Sequence, residues 1–365
     1  MQQNSNDQRR HVIASDVERI SQLDYITGIQ RVAHESHKGL FDLLSPDFYS
    51  FGSYNSPAAE KSFGFLSNPE LARDPVLNAK NHLLADIDTL LLVDFNTNFN
   101  FPALFAERAK RKIRVISVVY DVLPILQPEW FPEENSKMKF MVWLQNILLV
   151  SDHVVFNSNF VMDKVRDLQW RTGAQFHLIP LGATGLVHNM KHYSASPPTL
   201  ISVSTIEPRK GHMEILDAYD QLRAKKRDYR LFIVGRAGWK CDEIVSRIVN
   251  HRDYGSRLRW FDNLSDLELS ALYHNSQIAI VSSHAEGFGL AIEEALSHQV
   301  KVIARDISVF REREQQNLFF FETKSAPLLE VIEQVDRITW NPTGYESLRS
   351  MRDFIEELLA LILST

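Results

Sequence analysis

Residues 277–296 read QIAIVSSHAEGFGLAIEEAL, and this stretch indicates how the chain folds. Its first part, 277–281, is mostly apolar, as expected for a parallel strand that helices cover on both faces. Gly287 and Gly289 then allow a tight turn, and a helical pattern follows. Strand, glycine turn and helix in this order predict one unit of an α/β sheet, with a ligand at the carboxyl end of the strand.

Similar apolar runs alternate with helical patterns along much of the chain. In one helical stretch Ile215, Tyr219 and Leu222 recur at helical spacing, and another opens with the capping-box pair Ser265 and Glu268. This alternation predicts a doubly wound α/β fold. The other predicted strands are 115–120, 153–157, 199–203, 230–234 and 300–304.

The length of 365 residues predicts two domains of ordinary size, each with its own core. The polar stretch HNMKHYSASPP at 188–198 contains paired prolines and is the best candidate boundary. We therefore expect an N-terminal domain over 1–190 and a C-terminal domain over 191–340, facing each other across a cleft. Scattered Pro, Gly, Ser and Asn predict a long irregular insertion at 45–80.

Composition excludes several classes of protein. The chain is 44% hydrophobic and 24% charged, which is typical of a folded globular protein, and its formal charge of −6 gives no general attraction to nucleic acid. The single cysteine, Cys241, cannot form an internal disulfide or a zinc cluster. No apolar run approaches the roughly 18 to 20 residues that span a bilayer. The polar start MQQNSNDQRRH lacks the apolar core of a secretory signal.

Two further patterns argue against cofactor chemistry. The 13 histidines show no metal-ligand spacing, so we assign them no metal. The segment RLFIVGRAGW at 230–239 lacks the full dinucleotide fingerprint, which disfavours an oxidoreductase.

The basic stretch ERAKRKIR at 107–114 is interpreted as a solvated helix end, with attraction to anionic lipid as the alternative.

The strongest candidate site is the glycine turn at 286–290 and the helix that follows it. Glu286 lies on the turn and Glu294 about one turn into the following helix, and since the loop adds further length their carboxylates should lie on the order of 10 Å apart. That separation is too long for the pair of a retaining glycosidase, at about 5 Å, and better suits two contacts on one extended ligand. Backbone amides at the helix start favour anionic groups. The alternative is a plain strand-to-helix turn with solvated glutamates.

A second candidate site follows the predicted strand 199–203. Arg209 and Lys210 precede another helix, and two cations beside a helix N-terminus suit a phosphate, with Arg able to bind it bidentately. The glycine spacing does not match a Walker loop. A solvated basic turn is the alternative.

Two weaker candidates lie in the N-terminal half. Thr27 and Gly28 precede an amphipathic helix whose start could receive phosphate oxygens, although a plain turn explains them equally simply. Tyr120 and Asp121 end the strand 115–120, where a carboxylate is well placed to meet a ligand in the cleft. An Asp that caps a turn is the alternative there.

Taken together and in this order, these segments resemble the family 4 retaining glycosyltransferases, which have the GT-B fold. The most specific element is Glu286 and Glu294 with seven residues between them, embedded in EGFGLAIEEA and preceded by STIEPRKGH at 204–212. The pieces TGIQRV, VVYDVLPI and FIVGRAGW look like the bacterial branch that builds polysaccharides, often with mannose as donor sugar. ITWNPTGYESL resembles the segment where the last helix crosses back, which implies that 341–365 packs on the N-terminal domain.

The resemblance implies one catalytic carboxylate, one donor-binding carboxylate and two catalytic cations. Glu286 would meet the donor sugar near its hydroxyls and reacting face, and Glu294 would bind the ribose. Lys210, with Arg209, would neutralise the departing diphosphate. The backbone amides that would hold sugar and phosphate belong to Gly287, Phe288, Gly289 and Leu290.

Further roles are implied for the N-terminal half. Gly28 would let its loop approach the diphosphate, and Tyr120 and the catalytic Asp121 would line the donor-sugar and acceptor side. The chain departs from the family pattern at three places. Tyr120 stands where many relatives have histidine, Ser204 and Thr205 occupy the region of a Gly-Arg pair, and Ala291 replaces a proline.

The activity implied by the resemblance is metal-independent, retaining transfer of a hexose from a nucleotide sugar, without a cofactor. GDP-mannose is the first expectation for the donor, and a UDP-hexose or dTDP-rhamnose is the alternative. The acceptor would be a glycan or lipid-linked glycan in bacterial polysaccharide or lipopolysaccharide synthesis, reached from the cytoplasm with a peripheral contact at the inner membrane face. A non-catalytic nucleotide-sugar-binding subunit is the alternative from another class.

Overall fold

Two six-stranded parallel sheets organise the part of the chain that the structure describes. The computed structural model describes residues 13–16, 28–44, 48–51, 88–97, 99–131, 136–183, 196–313, 316–338 and 348–364. The first sheet has the spatial order 2-1-3-4-5-6 and contains β1 (Ile13–Asp16), β2 (Phe48–Phe51), β3 (Thr89–Leu92), β4 (Arg114–Val119), β5 (His153–Phe156) and β6 (Gln175–Leu178). The second has the order 12-11-10-7-8-9 and contains β7 (Thr199–Val203), β8 (Arg230–Val234), β9 (Leu258–Phe261), β10 (Ile278–Val281), β11 (Lys301–Arg305) and β12 (Leu318–Phe321).

Helices cover both faces of each sheet. Along β3, for example, Leu90 and Leu92 pack into one apolar core, whereas Leu91 packs into another on the opposite face. The helices of the N-terminal half (13–183) are α1 (Gly28–Leu44), α2 (Phe101–Lys110), α3 (Leu123–Leu126), α4 (Ser136–Val150) and α5 (Asn159–Asp167). Those that follow are α6 (His212–Ala224), α7 (Asp242–Val249), α8 (Asp266–His274), α9 (Leu290–Ser297), α10 (Ser308–Arg311), α11 (Leu328–Asp336) and α12 (Met351–Leu363).

The predicted α/β class and all six predicted strands are confirmed, each within one residue of its expected ends. The capping box is also present, because Ser265 Oγ accepts from the Glu268 backbone and the Glu268 carboxylate accepts from the Ser265 backbone. The prediction of an irregular insertion throughout 45–80 is wrong at its start, where β2 pairs with β1 at the sheet edge. Four residues are too few to show a strand period, so pairing with β1 decides this segment.

The strand order locates the place where a ligand can enter each sheet. In the C-terminal half (196–338), the winding reverses between β7 and β10, and the connections that leave these two strands diverge. Such a switch point opens a crevice at the carboxyl ends of the strands. The turn at 208–210 follows β7 and the loop at 286–290 follows β10, so the topology brings the two strongest candidate sites together.

The last helix packs on the N-terminal half. Phe354 and Leu358 of α12 share a core with Val32 and Leu40 of α1. The absence of a side chain at Gly39 admits Ile355, whose Cδ1 would lie 2.7 Å from a Cβ added there. Most of the predicted boundary at 188–198 and of the crossing segment before α12 lies outside the described residues. Within the described residues, we find no helix with the length and apolar character needed to cross a bilayer.

Candidate functional site

A cleft of about 1460 Å³ lies between the carboxyl ends of the two sheets. Both halves of the chain line it, and it gathers eleven site residues predicted from the sequence. These are Gly28, Tyr120, Asp121, Arg209, Lys210, Glu286, Gly287, Phe288, Gly289, Leu290 and Glu294.

Four charged side chains form a compact group at the switch point, and we call Glu207, Arg209, Lys210 and Glu286 the charged cluster. Lys210 Nζ contacts Glu286 Oε1, and Arg209 Nη1 lies 3.2 Å from Glu286 Oε2. Arg209 Nη2 donates to Glu207 Oε1 at 2.6 Å. All four side chains are at most 16% exposed, so these charges interact with little screening by water.

Backbone contacts hold the two segments of the charged cluster against each other. Arg209 Nη1 donates to the carbonyl of Ala285 at 2.7 Å, and the backbone N–H of His284 donates to the Arg209 carbonyl at 2.8 Å. Ser282 Oγ donates to the Lys210 carbonyl at 2.7 Å. Gly211 has a φ of +70°, and a Cβ there would overlap the Ser282 carbonyl oxygen. The Arg209 guanidinium and the backbone of Lys210 are therefore held in place before any ligand arrives.

Burial and charge act in opposite directions on the carboxylates of the cleft. Burial disfavours the charged form of Glu286, but Lys210 and Arg209 outweigh it and lower its pKa to about 2. Burial raises the pKa of Asp121, although Arg209 and the hydrogen bond from the Leu123 backbone oppose this shift. Glu286 is thus an anion at neutral pH.

The loop that carries Glu286 also contacts the N-terminal half. A Cβ added at Gly287 would overlap the Tyr120 carbonyl oxygen and lie 2.5 Å from Asp121 Cβ. Ser158 Oγ donates to the Gly287 carbonyl at 2.7 Å. Phe288 joins an apolar core of the N-terminal half, with the Arg313 guanidinium 3.9 Å from its ring centroid. The glycines of this turn therefore also allow close packing against the N-terminal half, in addition to the approach of a ligand.

Gly289 and Leu290 complete this turn. Gly289 has a φ of +105°, and a Cβ there would lie 2.5 Å from Phe310 Cε1. Leu290 begins α9 and packs opposite Gly28, where an added Cβ would be 3.7 Å from Leu290 Cδ1. Gly28 is itself the first residue of α1, so the N-terminal ends of two helices meet at the cleft.

Sequence reasoning missed Arg31, which connects the two halves. Its Nη2 lies 2.5 Å from Asp266 Oδ1, and its Nη1 lies 3.7 Å from Glu294 Oε1. Burial lowers the pKa of Arg31, but these carboxylates outweigh it and raise the pKa. Two features of the sequence point to this ion pair: Arg31 lies in the first helical turn after Gly28, and Asp266 directly follows the capping residue Ser265. Neither feature shows that these two side chains contact each other.

Tyr120 contributes to the cleft through its ring and backbone. Its hydroxyl donates to the Val93 carbonyl at 2.7 Å, and its side chain is 6% exposed. Its carbonyl accepts from Asn157 Nδ2 at 2.9 Å. The hydroxyl is therefore directed into the N-terminal core.

The cleft offers ligand groups of two kinds. Lys210, Arg209 and the amides at the start of α9 suit phosphate oxygens, and Glu294, only 7% exposed, suits hydroxyl groups. Among the residues that the structure describes, no group of three or more His, Cys, Asp or Glu side chains is placed to hold a metal ion.

Comparison with known proteins adds a family match and several relatives. Residues 190–341 match the protein family described as Glycosyl transferases group 1. The chain is 31% identical over 346 residues to the serotype-specific mannosyltransferase WbdA of Escherichia coli, covering 87% of this chain and 40% of that protein. It is 25% identical over 211 residues to O-antigen chain mannosyltransferase B of Escherichia coli, covering 54% of this chain and 55% of that protein. The chain thus spans less than half of the length of WbdA.

Solved structures with the same architecture include two that match almost the whole chain. Sucrose-phosphate synthase from Thermosynechococcus elongatus has a TM-score of 0.67 at 14% identity, covering 97% of this chain and 98% of that chain. Anabaena Alr3699/HepE in complex with UDP-glucose has a TM-score of 0.68 at 16% identity, covering 97% of this chain and 100% of that chain. These likenesses confirm the predicted GT-B fold.

Proposed function

This chain carries a group 1 glycosyl transferase domain, and on that premise we propose that it transfers a hexose from a nucleotide sugar. The donor is GDP-mannose, and the acceptor is a hydroxyl of a glycan or lipid-linked glycan in bacterial polysaccharide synthesis. Similarity to WbdA over 87% of the chain supports mannose as the sugar. The observation that carries the proposal is the contact of Lys210 with Glu286 at the switch point of the C-terminal sheet.

The charged cluster suggests how the donor binds. Its two cations are matched by Glu207 and Glu286, so a diphosphate must compete with Glu286 for Lys210. The donor carries more negative charge than one carboxylate, and it can also accept from the amides that begin α9. Once Lys210 turns toward the diphosphate, the Glu286 carboxylate is released to accept hydrogen bonds from hydroxyls of the donor sugar.

Transfer then requires stabilisation of a leaving group. The bond between the anomeric carbon and a diphosphate oxygen breaks, and the negative charge that grows on that oxygen is met by Lys210 and Arg209. Because the cluster is preorganised and poorly hydrated, this stabilisation is larger in the transition state than in the ground state. The two cations supply the positive charge, so we propose a reaction independent of metal ions.

Retention of anomeric configuration follows from attack on the same face. The acceptor hydroxyl approaches the anomeric carbon from the side of the leaving diphosphate, forms the new carbon–oxygen bond and gives its proton to a phosphate oxygen. The hydrogen bond from Ser158 to Gly287 and the ion pair of Arg31 with Asp266 hold the two halves together. Closure limits the access of water and hence hydrolysis of the donor.

We propose further that the protein works in the cytoplasm, with a peripheral contact at the inner membrane face. The basic segment 107–114 supports this proposal, since Lys110 and Lys112 are exposed and could meet anionic headgroups. Flotation with vesicles containing anionic lipid tests it. We expect co-flotation that decreases as salt is raised, and equal flotation with purely zwitterionic vesicles would contradict the electrostatic contact.

The experiment that tests the donor is thermal unfolding in EDTA with GDP, UDP, ADP or dTDP. A ligand at 100 times its dissociation constant stabilises by about 2.7 kcal/mol, and we expect that shift with GDP. Selective stabilisation by UDP or dTDP would identify a UDP-hexose or dTDP-rhamnose as the donor in place of GDP-mannose. An unchanged melting temperature with every nucleotide would overturn the proposed site. Transfer from GDP-mannose, followed by NMR of the anomeric proton, then tests retention. Equal rates in EDTA and in added Mn²⁺ test metal independence.

A further inference from the structure

One part of the cleft is lined by aromatic side chains that the donor site described above does not use. Phe131, from the N-terminal half, and Trp239, from the loop after β8, lie against each other with ring centroids 6.2 Å apart and planes at 25°. Both rings are partly exposed and line the cleft. We call Phe131 and Trp239 the aromatic pair.

The aromatic pair is held in a fixed arrangement. Trp239 Nε1 donates to the carbonyl of Trp130, and Lys240 Nζ donates to the carbonyl of Glu129 at 2.8 Å. Trp130 in turn stacks on His284, with centroids 5.8 Å apart and planes at 11°. Rings that are already fixed lose little conformational freedom when a ligand binds.

A second aromatic group, from the N-terminal half, lines the same cleft. Phe95 lies beside Trp143 in an edge-to-face arrangement, with centroids 4.8 Å apart. Polar side chains, Asn96, Ser136 and Lys139, accompany these rings in the cleft lining. Apolar surface with a few polar groups is typical of sites that bind small organic ligands.

Close packing between neighbouring loops connects the aromatic pair to the charged cluster. Gly238, directly before Trp239, packs on the loop after β7, and a Cβ added there would lie 2.7 Å from Thr205 Cγ2 and 3.7 Å from Glu207 Cβ. His284, which stacks on Trp130, lies two residues before Glu286 in the same loop. A ligand on the aromatic pair therefore adjoins the site at which the donor sugar would react.

We propose that the aromatic pair is the subsite for the acceptor sugar, which makes the acceptor a glycan. A pyranose ring has an apolar face of C–H groups and a polar edge of hydroxyls. Aromatic rings bury the apolar face, and neighbouring polar side chains bind the hydroxyls at its edge. This inference rests on the proposed function and adds to it the chemical class of the acceptor group nearest the reaction.

The test compares Trp239→Ala with Trp239→Phe, using GDP-mannose as donor and an α-linked mannobiose as acceptor probe. Loss of the ring in Trp239→Ala should raise the acceptor KM at least about 10-fold, equivalent to about 1.4 kcal/mol of binding. Trp239→Phe keeps a ring but loses the N–H group, and its acceptor KM should stay within about 3-fold of the wild-type value. Trp170→Ala, which removes a half-buried indole outside the cleft lining, is the matched control.

The outcomes separate this subsite from the proposed function. Equal defects in Trp239→Ala and Trp239→Phe would assign the loss to the hydrogen bond with Trp130 and overturn the proposal. An unchanged acceptor KM in Trp239→Ala would overturn it as well. Wild-type protein that neither shifts its melting temperature with a nucleotide nor releases GDP in the presence of the probe would reject the proposed function itself. Circular dichroism of each variant confirms that the fold is intact.

Discussion

The two halves of this chain share one layered architecture but present different chemistry to the cleft. At the carboxyl ends of β7 and β10, the C-terminal half carries the charged cluster. At the ends of β3 and β4, the N-terminal half carries Phe95, Tyr120 and Asp121, which present two aromatic rings and one carboxylate. The fold that the two halves share therefore does not tell their roles apart. Their roles follow from the side chains at the ends of the strands.

One glycine turn contributes side chains to both halves. The loop at 286–290 places Glu286 beside Lys210 and inserts Phe288 into the core of the opposite half. The same loop therefore supplies one carboxylate of the charged cluster and joins the C-terminal half to the N-terminal half. The following predictions test whether catalysis depends on the charged cluster of the C-terminal half, and whether contact between the two halves depends on the loop at 286–290.

The largest effect should come from the charged side. Lys210→Ala and Glu286→Ala should each lower turnover at least about 100-fold, because each removes a preorganised charge from the reacting group. Initial rates of nucleotide release measure this, with circular dichroism to confirm the fold. Lys225→Ala, an exposed lysine of the same half that pairs with Glu333, is the matched control. Near-normal rates in Lys210→Ala would remove the catalytic role from the C-terminal half.

A smaller loss should follow from separating the halves. In Gly287→Ala the new methyl group would overlap the Tyr120 carbonyl, so the halves must move apart. We expect kcat/KM to fall about 10-fold or more, since misplacement by about 1 Å is costly to catalysis, and small-angle scattering should show a larger radius of gyration.

Gly173→Ala is the control for this substitution, because a Cβ at Gly173 meets nothing within 4 Å. If Gly287→Ala and Gly173→Ala behave alike, the contact at the loop is unimportant for closure.

A few-fold effect is expected at the ion pair between Arg31 and Asp266. Asp266 is 62% exposed, so solvent screening limits the pair to about 1 kcal/mol or less, which is at most about 5-fold in the donor KM. A double-mutant cycle with Arg31→Ala and Asp266→Asn measures the coupling, and raised salt should abolish it. Strictly additive effects at low salt would show that the pair does not contribute to closure.

The last prediction concerns the pH dependence of stability and not the rate of the reaction. The pKa of Glu286 is lowered to about 2 from an ordinary 4.5, so its ion pairs stabilise the folded state above pH 4.5 and lose this contribution as the pH falls toward 2. The free energy of unfolding of wild type minus that of Glu286→Gln should be constant from pH 8 to about 5 and decrease below it. Urea denaturation measures the difference, and an increase on acidification would contradict the ion pairing.

The sequence was sufficient where the physical cause is local. Apolar runs such as 230–234 become strands because both faces are buried, and Ser265 with Glu268 forms the cap that its spacing predicts. The glycine turn and the Arg209–Lys210 turn were identified because each follows such a strand, and parallel strands place their carboxyl ends at one edge. Strands without such an apolar run were not predicted, including β6, whose residues QFHL show no clear period.

The fold class and the segments that line the cleft are therefore predictable from patterns in the sequence, because period, turn chemistry and strand order act over short stretches of chain. The pairs of side chains that meet across the cleft are known only from the folded structure. Arg31 with Asp266, Phe131 with Trp239 and Gly287 with Tyr120 are pairs of this kind. Their contacts depend on how two separately wound sheets are placed against each other, and ion pairing or close packing between distant segments leaves no spacing in the sequence.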